Sequence, residues 1–133
     1  MADILCGAVL FAKDLAHMSR FYEQVAGLRV QHADADHVVL HAPGFELVLH
    51  GIPKKIAKEI NITVPPELRT EVPCKLFFAV PSLAQARTLA AQHGGGLHPA
   101  KREWSARGFR ACDGFDPEGN VIQLREVAPL PST

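Results

Sequence analysis

The sequence predicts an α+β fold made of two βαβββ modules in tandem. Three observations carry this. Strand-like apolar runs alternate with two amphipathic helical patterns, each opened by a capping residue (Asp14 and Ser82). A proline-rich stretch, Val64-Pro65-Pro66, interrupts the rhythm near the middle. The same order of elements then returns at a fixed offset of 68 residues, which pairs Cys6 with Cys74, Leu15 with Leu83, Gln24 with Gln92 and Gly27 with Gly95.

In chain order, Ile4 to Phe11 is an apolar strand. Asp14 caps a helix whose Leu15, Met18, Phe21 or Tyr22, and Val25 share one face. Gly27 sits where a helix end takes a left-handed residue. Three short strands follow, Leu28 to His32, His37 to His41 and Phe45 to His50, divided by turns at Asp34–Asp36 and Pro43–Gly44. Module one is thus residues 1–51, and residues 52–73 form a linker. Within the linker Ile52, Ile56 and Ile60 fall on one side of a short helix. Module two, residues 74–127, opens with a strand from Cys74 to Val80. A helix with Leu83, Ala86, Leu89 and Ala90 on its apolar face ends at Gly94-Gly95-Gly96. Strands are expected at Leu97 to Ala100, Phe109 to Cys112 and Val121 to Val127, the last after the tight turn Asp116-Pro-Glu-Gly-Asn120.

Composition narrows the function classes. A chain of 133 residues suits one domain that buries roughly two-thirds of its unfolded surface. Apolar residues make up 47% and charged residues 21%, which is ordinary for a globular protein and argues against disorder. Fourteen basic residues balance fourteen acidic ones, so no positive field is available to hold a nucleic acid. The apolar runs are strand-length, too short to span a membrane, and the N-terminus lacks a basic leader before its apolar run. Three cysteines without CxxC spacing read as buried, inert thiols, and they fit a reducing, cytoplasmic setting.

The run from Val9 to Tyr22, closing at Gly27-Leu28, resembles the opening module of the vicinal oxygen chelate superfamily. That group includes glyoxalase I, the bleomycin and fosfomycin resistance proteins, methylmalonyl-CoA epimerase and the extradiol dioxygenases. Asp116-Pro-Glu-Gly-Asn-Val-Ile-Gln-Leu124 resembles the same group's turn into its last strand. The resemblance implies curved sheets around a cleft, helices outside, and a homodimer. It also implies four metal-ligand positions, on the first and last strand of each module. These fall on Gly7, Glu46, Lys75 and Gln123. Only Glu46 is a good divalent-metal ligand, so no metal cofactor is expected, although a one-residue shift would bring in Cys6 and Cys74.

Lys75 is then expected to stand in for the metal charge and to pair with Glu46. Gln123 and Arg125, two residues apart on one strand face, join it as ligand-binding candidates, with Arg69, Lys101 and Arg102 as further cations. Trp104, the single tryptophan, lies in a polar, loop-like run where it covers a pocket or packs beneath the loop. His50 shares the strand face of Glu46 and is the other acid–base candidate. His37 and His41 share a face with Val39 and read as a solvated hairpin rather than a two-histidine metal site. His17 and His93 read as surface residues at helix ends.

The expected function is metal-independent binding of a small organic ligand, anionic or aromatic. One alternative is a glyoxalase-type lyase, isomerase or epimerase with Glu46 or His50 as base and Lys75 holding an oxyanion. The other is a non-catalytic interaction module whose cleft is filled by Phe45, Phe77, Phe109 and Phe115.

Overall fold

The computed structural model describes residues 4–127. Its first sheet is formed by β1 (Cys6–Ala12), β2 (Arg29–Ala33), β3 (His37–Ala42) and β4 (Phe45–Gly51), in the order β1-β4-β3-β2. β1 and β4 are parallel, and the other pairs are antiparallel. Helix α1 (Leu15–Val25) makes the crossover between β1 and β2. The Asp14 carboxylate accepts the His17 N–H at 3.0 Å, and Gly27 closes the exit with φ +71°.

The second sheet repeats the plan with one addition. β5 (Leu76–Val80), β9 (Val121–Val127), β8 (Phe109–Phe115) and β6 (Gly96–Leu97) lie in that order, and β7 (Trp104–Ala106) also pairs with β8. β6 and β7 divide the length of β8 between them, β6 at its end and β7 at its start. Pro99 and a one-turn 3-10 helix at Ala100–Arg102 separate them. The expected strand Leu97–Ala100 therefore stops at Leu97, and the run around Trp104 is a short strand rather than a loop. β5 begins at Leu76 rather than Cys74, and β8 continues through Asp113 to Phe115. Ser82 caps α3 (Leu83–Gln92) through the Gln85 N–H.

The 68-residue offset survives in three dimensions, since Leu15 and Leu83 each open their helix. The linker helix is a single turn, α2 (Lys54–Ala57), so of the three isoleucines only Ile56 lies on it, and it is exposed.

Each sheet turns one face to its helix. Leu40, Leu47 and Leu49 meet Met18, Phe21 and Tyr22, while Phe78, Val80, Ile122 and Leu124 meet Leu83, Ala86 and Ala90, all in one continuous core. The helices also touch each other. A polar anchor joins the two halves. The Tyr22 hydroxyl donates to buried Asp116 at 2.6 Å, and Asp116 also accepts from Asn120 and from the Glu118 N–H. Glu118 in turn accepts the Lys13 and Asp14 N–H groups. Burial lifts the Asp116 carboxyl above its ordinary range, and burial beside that carboxylate raises the Tyr22 phenol.

Of the cysteines only Cys112 is buried. Cys6, at the start of an edge strand, and Cys74, ahead of β5, are exposed, contrary to the inert-core reading.

Candidate functional site

Strand alternation leaves a second face on each sheet with no helix over it among the described residues. On the first sheet it carries Gly7, Val9 and Phe11 from β1, Glu46, Val48 and His50 from β4, and His37, Val39 and His41 from β3. These stand in rows, with Gly7, Glu46 and His41 abreast and Phe11, His50 and His37 abreast. On the second sheet it carries Phe77, Ala79, Gln123, Arg125, Asp113, Ala111 and Trp104.

The second face is the more organised. Arg125 stands in a row between Ala79 and Ala111, and Trp104 lies beyond Ala111. The Arg125 Cζ lies 3.6 Å from the centroid of the Phe77 ring and 4.3 Å from that of the Phe109 ring. Arg125 Nε donates to Gln123 Oε1 at 2.8 Å. Gln123 Nε2 faces Asp113 Oδ1 at 3.4 Å, and Asp113 Oδ2 accepts from Lys75 Nζ at 2.7 Å. Among the described residues no acceptor meets the terminal amino groups of Arg125. The adjacent carboxylate, Glu126, instead takes the Leu83 N–H at 2.7 Å. Trp104 is 40% exposed, so its indole is open to a ligand.

The structure therefore brings together four of the six expected residues: Lys75, Trp104, Gln123 and Arg125. Glu46 and His50 lie on the other sheet, and among the described residues no hydrogen bond or ion pair joins them to the four. The expected Lys75–Glu46 pair is not formed, because Asp113 on β8 lies within reach across β9. Asp113 is the residue that sequence reasoning missed. Its alternation with Ala111 on β8 was the available signal, but that strand was read as ending at Cys112.

His50 is exposed, with Nδ1 3.0 Å from the Gly51 carbonyl oxygen. Arg69 is tied to the β8–β9 turn through the Glu118 carbonyl and is not part of this face. Lys101 and Arg102 sit exposed on the one-turn helix. His17 reaches the His93 carbonyl at 3.0 Å, so these two histidines join the ends of α1 and α3.

The four positions that the resemblance assigns to metal ligands form a poor donor set. A Cβ on Gly7 would fall 2.5 Å from the Glu46 carbonyl oxygen, so the backbone leaves no space for a side chain there. Lys75 is a cation held by Asp113, and both ends of the Gln123 amide are engaged by its neighbours. Glu46 alone remains. These residues do not fit a divalent ion.

An apolar cavity of about 470 Å³ lies where β5 approaches the first sheet, lined by Cys6, Phe45, Lys75, Phe77 and Phe78 among others. Phe45 packs against the core edge-on to Phe78, and Phe77 is 55% exposed.

No protein-family model matches the chain, and no curated protein matches it by sequence. Solved structures do match. A glyoxalase/bleomycin resistance protein/dioxygenase family enzyme from Burkholderia phytofirmans PsJN superimposes with a TM-score of 0.69 at 18% identity, over 95% of this chain and 100% of that one. The chain has the vicinal oxygen chelate fold. A genomically encoded fosfomycin resistance protein, FosX, from Listeria monocytogenes matches at TM-score 0.65 and 14% identity, over 100% of this chain and 97% of that one. A glyoxalase/bleomycin resistance protein from Albidiferax ferrireducens T118 gives 0.63 and 16%, over 90% and 95%. Among the described residues no helix is long and apolar enough to cross a membrane.

Proposed function

We propose that this chain binds a small organic anion on the open face of its second sheet, without a metal, and that Arg125 is the anchor. One observation carries the reading. The Arg125 guanidinium lies over two aromatic rings and is tethered at Nε, while its terminal amino groups meet no acceptor among the described residues. Such a group is already oriented, so it gives up little freedom when a carboxylate or phosphonate arrives. Trp104 in the same row offers an aromatic surface about two strand spacings, ~10 Å, away. Gln123 orients the guanidinium. Lys75, neutralised by Asp113, adds steering rather than the main charge. The Listeria fosfomycin resistance protein has been crystallised with Mn(II) and a small dihydroxypropylphosphonic acid. An anionic ligand class is in keeping with that neighbour, while the poor donor set at the four positions supports metal independence here.

The lyase or isomerase alternative needs Glu46 or His50 beside an oxyanion holder. Among the described residues neither makes a hydrogen bond or ion pair with Lys75 or Arg125, which weighs against it within one chain. The open faces also carry exposed Val9, Phe11 and Phe77, which supports a homodimer as the working form.

Trp104, as the single tryptophan, makes the test direct. Titrating benzoate and phenylphosphonate into the protein should change its fluorescence saturably, with EDTA present throughout. Arg125→Gln should weaken binding at least tenfold, the scale expected for losing a charge-assisted pair of about 1.5–3 kcal/mol. Lys75→Met should cost less. Equal affinity in the Arg125 variant, or binding only after a divalent metal is added, would overturn the proposal.

A further inference from the structure

The β2–β3 hairpin, His32-Ala-Asp-Ala-Asp-His37, holds a cluster that the anion-binding face does not use. The ladder between β2 and β3 shifts register between Val30 and His32. Val30 lies opposite Leu40, a core residue, and regular alternation would then place His32 opposite core-facing Val38. The bulge sets His32 opposite Val39 instead, so its ring turns to the same open face as His37. Asp34 lies between them at the turn. Its Oδ2 is 2.8 Å from His32 Nε2, and its Oδ1 is 3.2 Å from His37 Nδ1.

Two further features prepare this cluster. Asp34 Oδ1 accepts the backbone N–H groups of Asp36 at 2.8 Å and His37 at 3.0 Å, which fixes the carboxylate over the turn. His37 is held between two other rings, His32 at 5.1 Å and His50 at 6.4 Å, and Phe11 lies against His50 at 5.5 Å. A single row of rings thus crosses all four strands and ends at Asp34. Among the described residues no lysine or arginine pairs with Asp34.

We propose that His32, Asp34 and His37 form a binding site for a late first-row divalent cation such as Zn²⁺ or Cu²⁺. One ligand atom from each residue lies within 4.8 Å of the other two. An ion with bonds of about 2.0–2.2 Å needs its ligands roughly 3–3.5 Å apart, so small ring rotations close the set around it. Two imidazoles and one carboxylate favour zinc, nickel or copper over magnesium or calcium, and copper binds tightest in that order. The exposed side of the hairpin leaves the remaining positions to water. The site lies at the opposite edge of the first sheet from β1, and it shares no residue with the four positions at Gly7, Glu46, Lys75 and Gln123. It does not depend on the anion-binding proposal.

The test is calorimetric titration of tag-free, full-length protein with ZnCl₂ and CuCl₂ at neutral pH, joined by imidazole NMR shifts. One ion per chain should bind, with copper tighter than zinc and the His32 and His37 resonances perturbed. His32→Gln and His37→Gln should each weaken binding at least tenfold, and His41→Gln should leave it unchanged. Because Asp34 also holds the turn, Asp34→Asn is compared only after its melting curve is shown to match wild type, with His32→Gln as the variant that decides if it does not. No saturable binding, undiminished binding in His32→Gln, or an equal loss in His41→Gln would overturn the proposal.

Discussion

Glu103 accepts from two guanidinium groups, Arg87 of α3 at 2.6 Å and Arg110 of β8 at 2.6 Å. The hydrogen bonds from Arg110 and Arg87 hold its carboxyl below the ordinary range. A carboxyl lowered by folding contributes stability above its unfolded pKa, and that contribution is lost as pH falls through the folded value. Glu103→Gln should therefore lower stability at pH 7 by about 1–2 kcal/mol, since it weakens two charge-assisted bonds and leaves Arg87 partly buried without its counter-charge. In urea melts from pH 7 to pH 3, the gap between variant and wild type should narrow once pH passes below about 4.3, the unfolded glutamate value. A gap that stays constant to pH 3 would mean the ion pairs carry none of this stability. Neither pair was legible in the sequence. Arg87 and Glu103 are 16 residues apart, and their contact depends on where the one-turn helix before β7 sets the chain down.

Elements were more legible than contacts, and the differences have physical causes. Asp14, Ser82 and Gly27 act locally, through hydrogen bonds or backbone dihedrals within a few residues, so the helix ends could be read directly. The hairpin β3–β4 followed from alternation. β7 escaped because three residues pairing along one end of β8 leave no periodic signature, and β8 was cut short because Asp113 and Gly114 look like a turn while they pair with Gln123 and Ile122. The candidate site was legible to the extent that it is a strand face. The period of two put Gln123 with Arg125, but the stack of Phe77 and Phe109 on that arginine needed the order β5-β9-β8, which no local rule supplies. Gly7 shows the same division. The resemblance implied a ligand position there, while the parallel β1–β4 ladder explains why it is glycine. Gly7→Ala should overpack that ladder against the Glu46 carbonyl and cost about 1–3 kcal/mol in chemical denaturation. A neutral effect would show that β1 has slack at its start.

At the scale of the whole molecule, α1 and α3 pack on one side of the sheets, and among the described residues no helix covers the other side. Val9, 57% exposed, and Phe11, 63% exposed, are neighbours on the open face of β1, and Phe77, 55% exposed, lies on that of β5. The chain carries no net charge to keep copies apart. A second copy related by a two-fold axis would meet these side chains with the same side chains, which is how apolar surface is closed without leaving another exposed. The proposed homodimer therefore predicts a sedimenting species of twice the 14.5 kDa chain mass at micromolar concentration, persisting at high salt because apolar burial is not screened. Phe11 is the residue to change, since its ring touches His50 and otherwise projects outward, apart from Arg125 and its aromatic stack. Phe11→Glu should shift the sample to the monomer mass while its circular dichroism and its affinity for phenylphosphonate stay near wild type. Wild-type protein that sediments as a monomer would show that these faces are bare in solution. A Phe11 variant that stays dimeric would move the interface off the first sheet.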